Sequence, residues 1–353
     1  MTDPASPSET EARAAIDALD GLTWAPFTLE ALPEVAAFYA VVEEHDANPE
    51  RTSLAELVDY VDSPRSVPEE DALLGRNRDG QIIATAWAGC NRPLTEVRSV
   101  FLGGAVHPDH RGQGLGRAVL AWELAHGRCW DAATRERGFG PLRLRLMAPT
   151  GHADARHLAE RAGLPVARYF YKRERPLGDL PTCPVPDGVH LVDWDAARSE
   201  QVRTAMNTAF RDHWGHADAT PGMWRDQLEA STFRPGWTVL AVEDATDDVV
   251  GVAWGSAYAQ DWSEDHREGY TEELGVLREH RGHGLASALL AEQMRRFAAD
   301  GMDAACLGVD TENPSGALSL YERLGYRPTA STCVHELVEA PGASVCPVRP
   351  RGD

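Results

Sequence analysis

The stretch Arg281-Gly282-His283-Gly284-Leu285-Ala286 lies between an extended apolar segment ending at Val276 and a helical run beginning near Ser287. A glycine-punctuated turn from strand to helix can cradle a phosphate. Glycines at 282 and 284 leave no Cβ between a ligand and the backbone N–H groups, and a helix N-terminus adds partial positive charge where a pyrophosphate would sit. Tight turns also need glycine for conformation alone, so one such turn is weak evidence. Here it occurs twice, because His110-Arg111-Gly112-Gln113-Gly114-Leu115-Gly116 stands in the same context. Residues 110–121 and 280–291 are identical at eight of twelve positions, at an offset of 170. Two carboxylates, Glu272 and Glu273, enter the second cradle on its strand. Strict alternation puts Tyr270, Glu272, Leu274 and Val276 on one face and Glu273 on the other.

These residues need elements to position them, and the chain supplies the same order twice. In the first half, helical spacing covers 32–44 and 53–60. Strands at 71–74 and 81–90 meet in an Asp-Gly hairpin, and 98–106 leads into the first cradle. A helix at 117–137, a strand at 142–147, a helix at 154–162 and a strand at 166–173 follow. The second half reads as a strand at 189–192, helices at 196–210 and 221–230, and a hairpin of 237–242 with 249–259. The cradle, a helix to 299, a strand at 304–309, a helix at 314–324 and a last strand complete it. Ala86-Trp87 matches Ala253-Trp254, and Glu160-Arg161-Ala162-Gly163 echoes Glu322-Arg323-Leu324-Gly325. This pattern is a duplicated domain of roughly 150 residues rather than a solenoid. The expected division is a mobile N-terminal arm at 1–20, a first domain at 21–175, a Pro/Gly-rich linker at 176–188, a second domain at 189–340 and a tail at 341–353.

Length and composition agree with a two-domain globular chain of 353 residues. The net charge of −21 and a single lysine, Lys172, argue against a nucleic-acid partner, which would need clustered basic residues. No apolar run approaches a membrane span and the start is acidic and polar, so a cytoplasmic location with no membrane partner is expected. Six cysteines without a C-x-x-C read as reduced thiols. His213-x-x-His216 lacks a third ligand at a recognised spacing, and no metal is expected.

With these motifs the chain resembles the GNAT superfamily of CoA-dependent N-acyltransferases, in two tandem copies; the arrangement is similar to that of mycothiol synthases in architecture only. The family's Gln/Arg-x-x-Gly-x-Gly/Ala signature is matched by Arg111 to Gly116 and by Arg281 to Ala286. The preceding Val-x-Pro is complete as Val106-His107-Pro108 and lacks its proline at Val276-Leu277-Arg278. The later Asn, Tyr and Gly-Tyr appear as Asn313, Tyr321 and Gly325-Tyr326. The resemblance implies an α+β fold: two domains, each a mixed, splayed, mostly antiparallel sheet flanked by helices. It also implies acetyl-CoA as the cofactor. Pantetheine would pair with the main chain of Leu274 and Val276 and contact Asn313. The pyrophosphate would sit on N–H groups of Gly282, His283, Gly284, Leu285, Ala286 and Ser287, with Arg281 close by. A second CoA site would comprise Val106, Arg111, Gly112, Gln113, Gly114, Leu115, Gly116 and Arg117.

Acyl transfer to an amine needs a neutral amine, a stabilised oxyanion and a proton for the departing thiolate. Tyr321 stands where the family's general acid stands, Glu272 is the first candidate for the base and Glu273 the reserve, and the N–H of Val276 would hold the oxyanion. Either glutamate also reads as a surface acid at a strand end, and Tyr321 as a core tyrosine. In the first copy Tyr321 and Asn313 correspond to Ala159 and Gly151, and its cradle strand holds no carboxylate. The second copy is therefore the expected catalytic one. Asp212 and Trp214 are candidates for holding a cationic acceptor, a small primary amine or amino sugar. A CoA-binding sensor without turnover, a protein-lysine acetyltransferase and a biosynthetic amide-forming enzyme share these motifs.

Overall fold

The computed structural model describes residues 7–63, 66–90, 92, 98–312 and 316–342, and its chain divides into two compact units. Unit 1 comprises Met1–Arg168 with Thr332–Asp353, and unit 2 comprises Tyr169–Ser331. In chain order the elements of the first half are α1 (Glu9–Asp17), β1 (Thr23–Pro26), α2 (Leu32–Asp46), α3 (Leu54–Asp62), α4 (Pro68–Asp71), β2 (Ala72–Arg76), β3 (Ile82–Cys90), β4 (Arg98–Leu102), β5 (Ala105–Val106), α5 (Leu115–Thr134), β6 (Leu142–Pro149), α6 (Ala153–Arg161) and β7 (Val166–Pro176). The second half continues with β8 (Val189–Asp193), α7 (Ser199–Phe210), α8 (Pro221–Glu229), β9 (Val239–Glu243), β10 (Val249–Ser256), β11 (Glu268–Val276), α9 (Leu285–Ala299), β12 (Ala304–Asp310), α10 (Ala317–Arg323) and β13 (Arg327–Glu339).

Both units carry one pairing pattern. In unit 2 the order is β8, β9, β10, β11, β12, β7, antiparallel throughout except for the parallel β11–β12 pair. In unit 1 it is β1, β2, β3, β4, β6, β13, again with a single parallel pair, β4–β6. The fold is thus the expected α+β type. Each unit draws the bulk of its last strand from the other half of the chain: β7 pairs with β12 from Phe170 to Pro176, and β13 pairs with β6 from Thr332 to Glu339.

In unit 2 the central strand β10 is buried along its whole length because helices cover both faces of the sheet. On one face α9 lays Leu289, Leu290 and Phe297, all fully buried, against the strands. Each such burial is worth roughly 1.5–3 kcal/mol. Close approach dictates Gly269, since a Cβ there would lie 2.4 Å from the Phe297 ring. The opposite face takes α7 through Met206 and Ala209.

In unit 1, within the stretch expected as an arm, Ser8 and Glu11 form a capping box that starts α1. That helix buries Ala12 and Ile16 in the unit's core. His126 of α5 ties it down, with Nδ1 2.9 Å from Glu9 and Nε2 2.9 Å from Asp71. Those carboxylates hold the imidazole pKa well above its ordinary value despite burial, which acts the other way. The expectation of reduced thiols holds at Cys90, Cys183, Cys306 and Cys333 but fails at Cys129, which is disulfide-bonded. Residue spacing carries no trace of such a link because a cystine joins positions that the fold brings together. Among the described residues no helix is long and apolar enough to cross a membrane.

Candidate active site

The parallel pairing of β11 with β12 runs from Glu268↔Ala304 to Thr271↔Leu307 and stops. Beyond that point β12 pairs on with β7, while Glu272 to Val276 follow β10 alone. The sheet therefore opens beside Leu274 and Val276, the segment expected to pair with pantetheine. Leu277 N–H donates to the Val250 carbonyl, so alternation turns the main-chain groups of Val276 and Leu274 toward the opening. At its end Gly282 (φ 81°) and Gly284 (φ 90°) form the turn into α9, with Gly284 as the helix cap. Both are in the left-handed region that only glycine enters cheaply, and a Cβ on either would meet no protein atom within 4 Å. The turn thus leaves open space beside the N–H groups at the start of a 15-residue helix, a fit to a pyrophosphate.

Arg281 has a different place from the charged neighbour the sequence implied. Its Nε donates to the Val276 carbonyl (2.9 Å) and a terminal nitrogen to the Ala209 carbonyl (2.8 Å), stapling the turn to β11 and to the end of α7. His283 is exposed, Leu285 is core, and Ala286 and Ser287 are half-buried. Asn313 lies outside the described residues.

The two glutamates are the main correction to the alternation argument. Trp254 pairs with Glu273 but Gly255 pairs with Thr271, so Glu272 is an extra residue in a β-bulge. Past the bulge the faces exchange. Tyr270 and Glu273 share the face of Trp254, whereas Leu274 and Val276 pack with Leu285 and Leu289 of α9. Glu272 is exposed and accepts a hydrogen bond from the Tyr258 hydroxyl (2.7 Å). Glu273 is half-buried, and its carboxyl is pushed up to about 7, first by desolvation and then by the like charge of Glu272. Both border a cavity of about 160 Å³ with Trp224, Phe233, Trp254 and Tyr258 on its walls.

Tyr321 is buried in a core cluster with Leu307, Val309, Met294 and Tyr326, against which Leu274 packs. Burial pushes its hydroxyl up to about 12, so it keeps its proton at neutral pH. The acceptor candidates do not gather at the cavity. Asp212 is exposed and pairs with Arg278 at 3.0 Å, and neither it nor Trp214 lines the cavity. The aromatic wall was missed in the sequence, where its members are scattered over 224–258; its only trace is Trp254 in the repeated Ala-Trp pair.

In unit 1 the cradle has the same backbone, with Gly112 at φ 77° and Gly114 at φ 90°. Arg111 again staples a carbonyl, that of Val106 (3.1 Å), but its two terminal nitrogens are taken by Asp46 at 2.6 and 2.8 Å. Gln113 and Arg117 are exposed, Leu115 is core and Gly116 packs against Leu158. Ala159, the counterpart of Tyr321, is fully buried. Among the described residues two groups have metal-ligand spacing, Asp71–Cys90–His126 and Glu174–Glu268–Cys306. In each a cation of the chain occupies a carboxylate: Arg92 and His126 hold Asp71, and Lys172 holds Glu268 at 2.6 Å.

The splayed sheet and doubled cradle define a class of acyl-CoA-dependent transferase. The chain matches the acetyltransferase (GNAT) family over residues 36–137 and 199–326, and it belongs to that family: it is an N-acetyltransferase that uses acetyl-CoA. It is 33% identical over 224 residues to a mycothiol acetyltransferase of Streptomyces coelicolor, covering 63% of this chain and 66% of that enzyme. It is 34% identical over 260 residues to the one of Streptomyces bingchenggensis, covering 72% and 77%. A GCN5-related N-acetyltransferase from Sphaerobacter thermophilus superposes with a TM-score of 0.72 over 93% of this chain and 98% of its own, at 23% identity, and so shares the fold.

Proposed function

We propose that unit 2 transfers the acetyl group of acetyl-CoA to the primary amine of a small cationic metabolite, and that unit 1 serves mainly to support the fold. The observation that carries the assignment is Glu273. Its carboxyl titrates near 7, on a cavity wall at the point where β11 leaves β12. A base there is ionised at working pH yet poorly hydrated, which suits removal of a proton from an ammonium before attack. Glu273 thus takes the role first sought in Glu272. Glu272 adds a second negative charge that draws a cation in.

Acetyl-CoA supplies an activated acetyl thioester. N–H groups from Gly282 to Ser287 would hold its pyrophosphate, and the main chain of Leu274 and Val276 its pantetheine arm. The Val276 N–H faces the opening and would stabilise negative charge developing on the carbonyl oxygen as the amine attacks. Tyr321, protonated at neutral pH, would give its proton to the departing sulfur. Unit 1 lacks both groups, since Ala159 replaces the tyrosine and its cradle strand β4 carries no carboxylate. A thiol-release assay over a panel of primary amines tests the reading. Turnover that disappears in Glu273→Gln supports it, and tight CoA binding with no release on any amine would replace it with a CoA-binding sensor.

A further inference from the structure

We infer that the acceptor is an arylalkylamine: a primary ammonium on a short chain ending in one apolar ring, with no carboxylate attached. This rests on the acetyltransferase reading of unit 2 and narrows it. The cavity bordered by Glu272 and Glu273 has about 160 Å³, the share of roughly five waters, enough for one ring and its chain. Trp224, Phe233 and Trp254 give it an aromatic side, and Gln227, Thr232, Ser256 and Tyr258 join the two glutamates in its polar lining. Phe233 stacks on Trp254 with centroids 4.3 Å apart, and Trp224 meets Trp254 edge-on at 5.0 Å.

The polar handles of Trp224 and Tyr258 are engaged within the protein. The Trp224 indole N–H donates to Ser199 Oγ at 2.9 Å, and the Tyr258 hydroxyl donates to Glu272. Trp224 and Phe233 therefore offer faces and edges rather than donors. No Arg, Lys or His lines the cavity, so an α-amino acid would bring its carboxylate against two glutamates with no cation to receive it. An ammonium at the glutamates with a ring among Trp224, Phe233 and Trp254 matches the charge and the aromatic side of the cavity.

The test compares three primary amines on the full chain with saturating acetyl-CoA: 2-phenylethylamine, glucosamine and phenylalanine. The expected result is a kcat/KM for 2-phenylethylamine at least 100-fold above either of the others. Trp224→Ala should raise KM for 2-phenylethylamine at least 10-fold and leave KM for acetyl-CoA within 2-fold. Glucosamine or phenylalanine acetylated as well as 2-phenylethylamine would overturn the inference while keeping the acetyltransferase. If none is acetylated, calorimetric titration of the CoA-loaded protein separates the two claims. Preferential binding of 2-phenylethylamine sustains the pocket and rejects the reaction, whereas absence of binding rejects the pocket.

Discussion

With Glu273 as the proposed base, its titration sets the pH dependence of turnover. Its carboxyl is pushed up to about 7 from an ordinary 4.5, which corresponds to roughly 3 kcal/mol between the two protonation states. Desolvation is the larger cause and the charge of Glu272 the smaller, so Glu272→Gln should move the titration down by less than half of that displacement. The assay is kcat/KM for the amine between pH 5.5 and 9 at saturating acetyl-CoA. The wild type should show a rising limb with its midpoint near 7, in addition to the limb set by the amine itself. In Glu272→Gln the midpoint should fall by about one unit or less, while the amine limb stays in place. Glu273→Gln should lose the limb near 7 and lower kcat by about 10²- to 10⁴-fold. A limb that survives unchanged in Glu273→Gln would refute the assignment of the base.

Alanine at Gly284 must adopt a φ near 90°, at a cost of about 1 kcal/mol, and places a methyl group in the open cradle. KM for acetyl-CoA should rise at least 10-fold, whereas Gly114→Ala, with the same strain in unit 1, should leave it within 2-fold. Glu123 of α5 is almost wholly buried, accepts the Trp87 N–H at 2.9 Å, and has its carboxyl pushed up to about 8 by burial. A folded-state value above the unfolded one means that ionisation opposes folding, so stability falls as pH rises from about 4.5 to about 8, by up to roughly 5 kcal/mol. Glu123→Gln should flatten that slope in urea unfolding, because unit 2 carries Gln293 at the same place in its repeat, fully buried and hydrogen-bonded to Thr271. An equal slope in wild type and Glu123→Gln would exclude the mechanism.

What was legible in the sequence is what local geometry enforces. A strand-to-helix turn that visits positive φ twice requires Gly282 and Gly284, and the same block at Gly112 and Gly114 exposed the duplication. What was hidden depends on partners distant in the chain. The bulge at Glu272 is defined only by the register of β10, so counting by twos put Tyr270 on the face of Leu274 and Val276 instead of the face of Glu273. Arg281 read as a charge for phosphate, yet its partners are the carbonyls of Val276 and of Ala209, the latter 72 positions away. The pairing of β7 with β12 and of β13 with β6 leaves no mark on periodicity, which gives each strand but not its neighbour. Asp212 and Trp214 looked suited to an amine by type, but the cavity is built from α8, β10, β11 and the segments that follow α8 and β10, whose side chains converge only in the fold.

That the working site is in unit 2 is tested most directly by measuring kcat/KM for Tyr321→Phe and Arg111→Ala side by side, with folding checked by circular dichroism. Loss of at least 100-fold in Tyr321→Phe beside an Arg111→Ala variant within about 2-fold of wild type is the predicted result. An inactive but folded Arg111→Ala beside an active Tyr321→Phe would contradict it and move the chemistry to unit 1.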